Sequence, residues 1–163
     1  RRVLFRSYEV GISNQALQIL YGLVNDRTAA AAERVYCPWP DMADAMRREG
    51  VPLFTLETWR PVRDVDLLGI TLQAELTYTN VLELIDLAGI PVRSAERGEG
   101  DPIILAGGPS ASNPMPLAPF VDAFFEGEAE EGLERIVEIL EAAPTIVQIG
   151  QRSGWAIAPT SWK

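Results

Sequence analysis

The chain of 163 residues has no histidine and a single cysteine, Cys37. Without imidazole there is no Ser-His-Asp triad and no ordinary zinc site. One thiol allows no internal disulfide, which fits a reducing compartment. It also cannot hold an iron–sulfur cluster of the Cys-x3-Cys-x2-Cys kind. Basic residues are few: 14 Lys and Arg stand against 23 Asp and Glu, for a net charge of −9. The only arginine pairs are Arg1–Arg2 and Arg47–Arg48. A nucleic-acid partner is therefore set aside, and the acidic balance reads as solubility. Long apolar runs are missing too, so no segment spans a membrane. The basic start RRVLFRS lacks the apolar stretch of a signal peptide. The expected location is the cytoplasm.

What is present suits one domain. The length is right for a single core, and 47% of the residues are hydrophobic. Both ends read as foreign. Residues 1–7 resemble a translated adaptor. Beyond Pro144 the acidic, periodic pattern stops, and TIVQIGQRSGWAIAPTSWK holds two of the four tryptophans and no carboxylate. The domain is accordingly placed at residues 8–144, with 1–7 and about 148–163 set aside as non-native or disordered, so that the chain reads as a fragment of a longer protein.

Short apolar runs alternate with helical patterns, which predicts β-α units around a parallel sheet. The strands are expected near Tyr8–Ile12 (or starting in the leader), Arg34–Tyr36, Asp66–Thr71, Pro102–Ala106 and Ala123–Phe125. Phe54–Leu56 reads as a short extra extended piece. The helix after the first strand carries Ala16, Leu17, Leu20, Tyr21 and Val24 on one face, with Ser13 or Asn14 as its cap. Asp41 is expected to cap a helix using Met42, Ala45 and Met46 and ended by Gly50. Thr79 or Asn80 caps one using Val81, Leu84, Ile85 and Ala88, stopped by Gly89. The last helix buries Leu133, Ile136, Val137 and Leu140. In such sheets ligands bind beyond the carboxyl ends of the strands, where strand order reverses.

Four segments fall at those ends. In AGGPSASNP (Ala106–Pro114), Gly107, Gly108 and Pro109 turn the chain sharply and admit close backbone approach, and Ser110, Ser112 and Asn113 bring polar groups. On the strand-Gly-Gly pattern alone a tight turn without a ligand is the favoured reading of the glycines. In LQAELTYTN, Thr71, Leu72, Gln73, Glu75, Thr77, Tyr78 and Thr79 crowd a strand end more than one helix cap requires, which points to a lined pocket. In YEVGISN, Tyr8, Glu9, Gly11, Ser13 and Asn14 read on residue types as an ordinary β-α turn, with a ligand loop as the alternative. In GEAEEG, Gly127 precedes Glu128, Glu130 and Glu131, whose carboxylates suit a helix N-terminus without any metal. Cys37 reads as a small buried apolar residue. Trp39 and Trp59 read as core or domain-contact residues. No residue is a catalytic or metal-ligating candidate.

Taken in order, YEVGISNQALQILYGLVN, ERVYCPWPDM, PLFTLET, DLLGITLQAELTYTNVLELIDLAGIP, ILAGGPSASNP and FFEGEAEEGLERI resemble the N-terminal domain of an uncharacterised family of radical S-adenosylmethionine (SAM) proteins with a cobalamin-binding-like domain. The resemblance covers about Tyr8 to Ala142. It implies a flavodoxin-like, Rossmann-like three-layer α/β sandwich with five parallel strands in the order 2-1-3-4-5. It also implies a following radical SAM barrel as partner, with the 4Fe–4S cluster and SAM held there. Cobalamin is the cofactor candidate for this domain. The Asp-x-His-x-x-Gly of cobalamin domains falls here on Arg6, Tyr8 and Gly11, so no histidine ligand comes from this chain. The Ser-x-Leu feature is matched loosely by Thr71-Leu72-Gln73, and the Gly-Gly feature by Gly107 and Gly108. A module that has lost its corrinoid and serves only to dock on the core or its substrate is the alternative. A free-standing receiver-type domain ranks last, for want of an acidic cluster and a switch lysine. On either leading reading this stretch catalyses nothing by itself, although the parent is an enzyme.

Overall fold

The computed structural model describes residues 2–5, 15–127 and 129–142. They form a mixed α/β fold with a parallel sheet, compatible with a Rossmann-like arrangement. The strands are β1 (Arg2–Phe5), β2 (Ala32–Val35), β3 (Leu67–Thr71), β4 (Ile103–Gly107) and β5 (Ala123–Phe125), lying in the order β2-β1-β3-β4-β5. The helices are α1 (Gln15–Arg27), α2 (Pro40–Glu49), α3 (Tyr78–Leu87) and α4 (Ala129–Ala142). No helix of the described residues is long and apolar enough to cross a membrane.

The first strand is a correction. It lies at Arg2–Phe5, within the stretch read as foreign, and pairs with both β2 and β3. Tyr8–Ile12, where a strand was expected, falls outside the described residues. β2 also begins two residues earlier than its apolar run, because Glu33 is buried beneath a partner: the Thr58 hydroxyl donates to its carboxylate at 2.6 Å.

Strand side chains alternate between the two faces, and the pleat divides the core in two. Leu68, Ile70, Ile104, Ala106 and Phe124 face the larger core with Ala43, Met46, Val81, Leu84 and Ile85, so α2 and α3 cover that side. Leu67, Leu105 and Ala123 face the smaller core with Val24, Leu133, Ile136 and Ile139, so α1 and α4 cover the other. The expected face of α3 is the buried one. In α2 the buried residues are Ala43 and Met46, while Met42 is exposed. Leu140 lies among the side chains outside the description.

Two expected N-caps are replaced by backbone geometry. Trp39, not Asp41, precedes α2, and Pro40 occupies its first turn, where no backbone N–H is needed. Before α3 the chain makes a 3-10 turn, Glu75–Thr77, so Thr79 and Asn80 sit inside the first helical turn. Gly50 does end α2, at φ 66°, with its N–H on the Arg47 and Met46 carbonyls. Gly89 follows α3 at φ 69°.

The open edge of β2 is covered by a small hairpin. Phe54 bridges Pro61, Leu56 N–H donates to Arg34 O at 2.9 Å, and the Glu57 carboxylate takes Arg34 N–H at 2.6 Å and its guanidinium at 2.7 Å. An unpaired edge would otherwise invite another strand. Trp39 and Trp59 are both exposed, which removes the core half of the core-or-domain-contact expectation. Trp59 stacks on Phe54 with ring centres 6.2 Å apart.

At the other edge Arg97 and Asp122 form an ion pair at 3.0 Å, with side chains only 4% and 3% exposed. Asp122 also accepts Ile104 N–H at 2.8 Å, and Arg97 donates to Phe120 O at 2.7 Å. Burial pushes the carboxyl up and the guanidinium down, and their mutual attraction opposes both shifts. Removing one partner strands the other, so Asp122→Ala should cost about 3–5 kcal/mol, read from the midpoint of urea unfolding.

Cys37 is buried, as expected, with its thiol 3.8 Å from Asn80 O. Desolvation, reinforced by Glu83, raises its pKa to about 11 from an ordinary 9.0. A raised thiol contributes nothing while both states are protonated, and its stability is lost as pH climbs through that window. Stability should therefore fall between about pH 9 and 11 by up to ~2–3 kcal/mol more in the native chain than in Cys37→Ala, measured by urea titration across that range.

Candidate functional site

The strand carboxyl ends deliver the loops after β3, β4 and β5 to one rim, and beneath it lies a cavity of about 630 Å³. Its floor is the sheet face carrying Leu67, Gly69, Thr71, Leu105, Gly107 and Phe125. Its walls are Ala16, Leu17, Leu20 and Val24 of α1 and Leu133 and Ile136 of α4. The floor follows from register. Thr71 pairs with Gly107 and Gly107 with Phe125, so these three make the top row. Gly69, Leu105 and Ala123 make the row below. Gly107 and Gly69, diagonal neighbours, leave a trough free of side chains that runs from the mouth into the interior. Polar groups gather only at the mouth: Thr71, Gln73, Ser112, Glu126 and Glu130.

The two glycines after β4 do different work. Gly108 has φ 101° and ψ −179°, a conformation that side-chain-bearing residues hardly adopt. A Cβ there would stand 2.9 Å from Leu72 O and 3.2 Å from Thr71 Oγ1. The close approach is used: Leu72 N–H donates to Gly107 O at 2.7 Å, and Ser110 N–H donates to Leu72 O at 3.0 Å. Gly107 is ordinary strand, and a Cβ would find Phe125 O at 3.7 Å, a normal contact. Its bareness therefore keeps space open rather than permitting a turn.

Of the residues singled out from the sequence, the structure brings Thr71, Gln73, Gly107, Gly108, Pro109 and Gly127 together on the cavity. Leu72 points the other way, into the larger core. Glu75, Tyr78, Ser110 and Asn113 tie two loops to each other. The Tyr78 hydroxyl donates between Ser110 O at 3.0 Å and Asn113 O at 3.1 Å, and Asn113 Nδ2 donates to Glu75 at 2.6 Å. Burial, then the Glu75 charge, raises the Tyr78 pKa and keeps its phenol a donor. Thr77 donates to Ala74 O at 2.7 Å, and Thr79 is exposed on the first turn of α3. Tyr8, Glu9, Gly11, Ser13, Asn14 and Glu128 lie outside the described residues.

Sequence reasoning missed the depth of the site. Gly69 inside DLLGIT carried a usable signal, since a glycine within a buried strand marks a close approach. Phe125 and the inner face of α1 carried none beyond ordinary core patterning. No group of three or more potential metal ligands occurs among the described residues.

Fold and cavity thus define an α/β domain that gathers glycine-bearing loops over a cavity on one face of its sheet. A family model described as "Radical SAM proteins, N-terminal" matches residues 16–152, and the chain belongs to that family. No curated protein and no solved structure matches it.

Gly108→Ala should cost about 1–3 kcal/mol, through its backbone conformation and the contact with Leu72 O. Gly107→Ala should leave the urea midpoint within about 0.5 kcal/mol, as expected for a methyl that meets only normal contacts.

Proposed function

We propose that this chain is the cofactor-holding N-terminal module of a radical SAM enzyme, built as the flavodoxin-like cobalamin-binding domains are, with a corrinoid as its ligand. The carrying observation is the cavity between the sheet and helices α1 and α4, opening at the strand ends over the floor of Gly69 and Gly107. A flat, apolar group such as the heteroaromatic tail of a corrinoid fits a slot of that lining, since ligand pockets are largely apolar with few polar groups at the mouth. Gly107, Gly108 and Thr71 would hold the tail, and Gln73 and Ser112 would meet its polar linker. When bound, the corrinoid would supply cobalt as a carrier of a methyl group or as a partner in rearrangement. With no histidine in the chain, its lower face would find no imidazole here. The cluster and SAM belong to the following radical SAM core, which is the expected partner. The domain works in the cytoplasm on this reading.

One observation favours a second reading. Glu75, Tyr78 and Asn113 are already satisfied by each other's loops, as they would be in a module kept for docking rather than for binding.

The test is the absorbance spectrum of the intact parent protein after reconstitution with cobalamin. A corrinoid spectrum is expected for the native protein. Gly107→Leu, which fills the trough, should weaken binding by about tenfold or more, equivalent to ~1.4 kcal/mol, without lowering the melting temperature. A folded parent that retains no corrinoid would overturn the first reading in favour of the second.

A further inference from the structure

Among the described residues eight large apolar side chains are exposed, and four of them follow the carboxyl ends of strands. Trp39 (57% exposed) and Met42 come after β2, Leu76 (92%) after β3 and Met115 (60%) after β4. The strands are parallel, and this is the end of the sheet at which the cavity opens, although none of the four lines the cavity. In the loops that carry Leu76 and Met115 several polar groups are meanwhile bonded internally: Tyr78 to Ser110 and Asn113, Asn113 to Glu75, Thr77 to Ala74. The loops that carry Leu76 and Met115 are therefore tied to each other. They ask for few hydrogen bonds from whatever covers them. Apolar anchors with pre-satisfied polar neighbours are the makings of an interface core.

We propose that this rim is the surface on which the radical SAM core docks, with Trp39, Leu76 and Met115 as its anchors. The occupant follows from two points. Membership of the family makes a radical SAM core the neighbour of such a domain. The cavity also opens on this face, and a ligand held there reaches a reaction only if the reactive centre lies over the mouth. This second point rests on the functional reading above; the exposure pattern does not. Trp59, 77% exposed, belongs to the hairpin along the edge of β2 rather than to a loop that follows a strand, and should remain in solvent.

Hydroxyl-radical footprinting of the intact, corrinoid-free parent, read by mass spectrometry, tests the surface. Trp39, Leu76 and Met115 should be oxidised roughly fivefold less than their reactivity and exposure in this domain imply, as for residues at the dry centre of an interface, while Trp59 reacts fully. The double variant Leu76→Asp, Met115→Asp should restore oxidation at Trp39 without shifting the melting temperature, since both side chains project into solvent in this domain. Full oxidation of all three anchors in the native protein would overturn the proposal. Protection that fades on dilution would overturn it too, by assigning the rim to a second copy. Because the footprint is taken without corrinoid, failure of the cofactor reading leaves the result unchanged.

Discussion

The approach of the chain after β4 to the end of β3 is the constraint from which the rim is built. It needs a residue without a side chain at one position, Gly108, whose Cβ would stand against Leu72 O. Given that approach, Leu72 N–H reaches Gly107 O and Ser110 N–H reaches Leu72 O. The loop 109–113 is thereby held close enough for Tyr78 and Glu75 to fasten it from the opposite side. The positions of Gln73, Pro109 and Ser112 at the cavity mouth are consequences of this single contact between two backbones.

A parallel sheet buried on both faces then makes the cavity from its own periodicity. Each strand presents every second residue to α1 and α4. Where those residues are Leu67, Leu105 and Ala123, the helices close on the sheet and form the smaller core. Where they are Gly69 and Gly107, the helices have nothing to close on. The larger core, under α2 and α3, has no such gap in its strand residues: Leu68, Ile70, Ile104, Ala106 and Phe124 all carry side chains into it. The two faces of the sheet therefore divide the work. One carries most of the buried apolar surface, and the other keeps room.

This division explains what could be read in advance. The strands β3, β4 and β5 and the apolar face of α3 were legible because burial on both faces gives short apolar runs and helical spacing gives a stripe. β1 was not, since Arg2–Phe5 carries no signal that separates it from a leader, and its assignment as strand comes only from pairing with β2 and β3. Caps were misplaced because Asp41, Thr79 and Asn80 are good capping residues two or three positions past where the backbone turned. A proline at the start of α2 and a 3-10 turn before α3 did the work instead. The glycine pair was visible, but its unequal roles were not, because φ belongs to the fold and not to the residue type.

Polar crowding at a strand end is therefore ambiguous evidence of a ligand. In LQAELTYTN the side chains that stood out by composition, Glu75, Tyr78 and Thr77, are consumed in joining loops or closing their own turn. The residues that do line the cavity, Thr71, Gln73 and the glycines, are the less conspicuous ones, and Gln73 Nε2 donates to Thr71 Oγ1 at 2.9 Å. Polar groups near a buried rim must find partners, and a rim that finds them within itself is rigid whether or not anything binds. Such rigidity suits a slot that receives a flat group, and it equally suits a platform that another domain grips. The apolar tips at Trp39, Leu76 and Met115 belong to the platform and the bare floor at Gly69 and Gly107 to the slot. The same fastening of loops underlies both features, since Tyr78, Glu75 and Asn113 join the loops after β3 and β4.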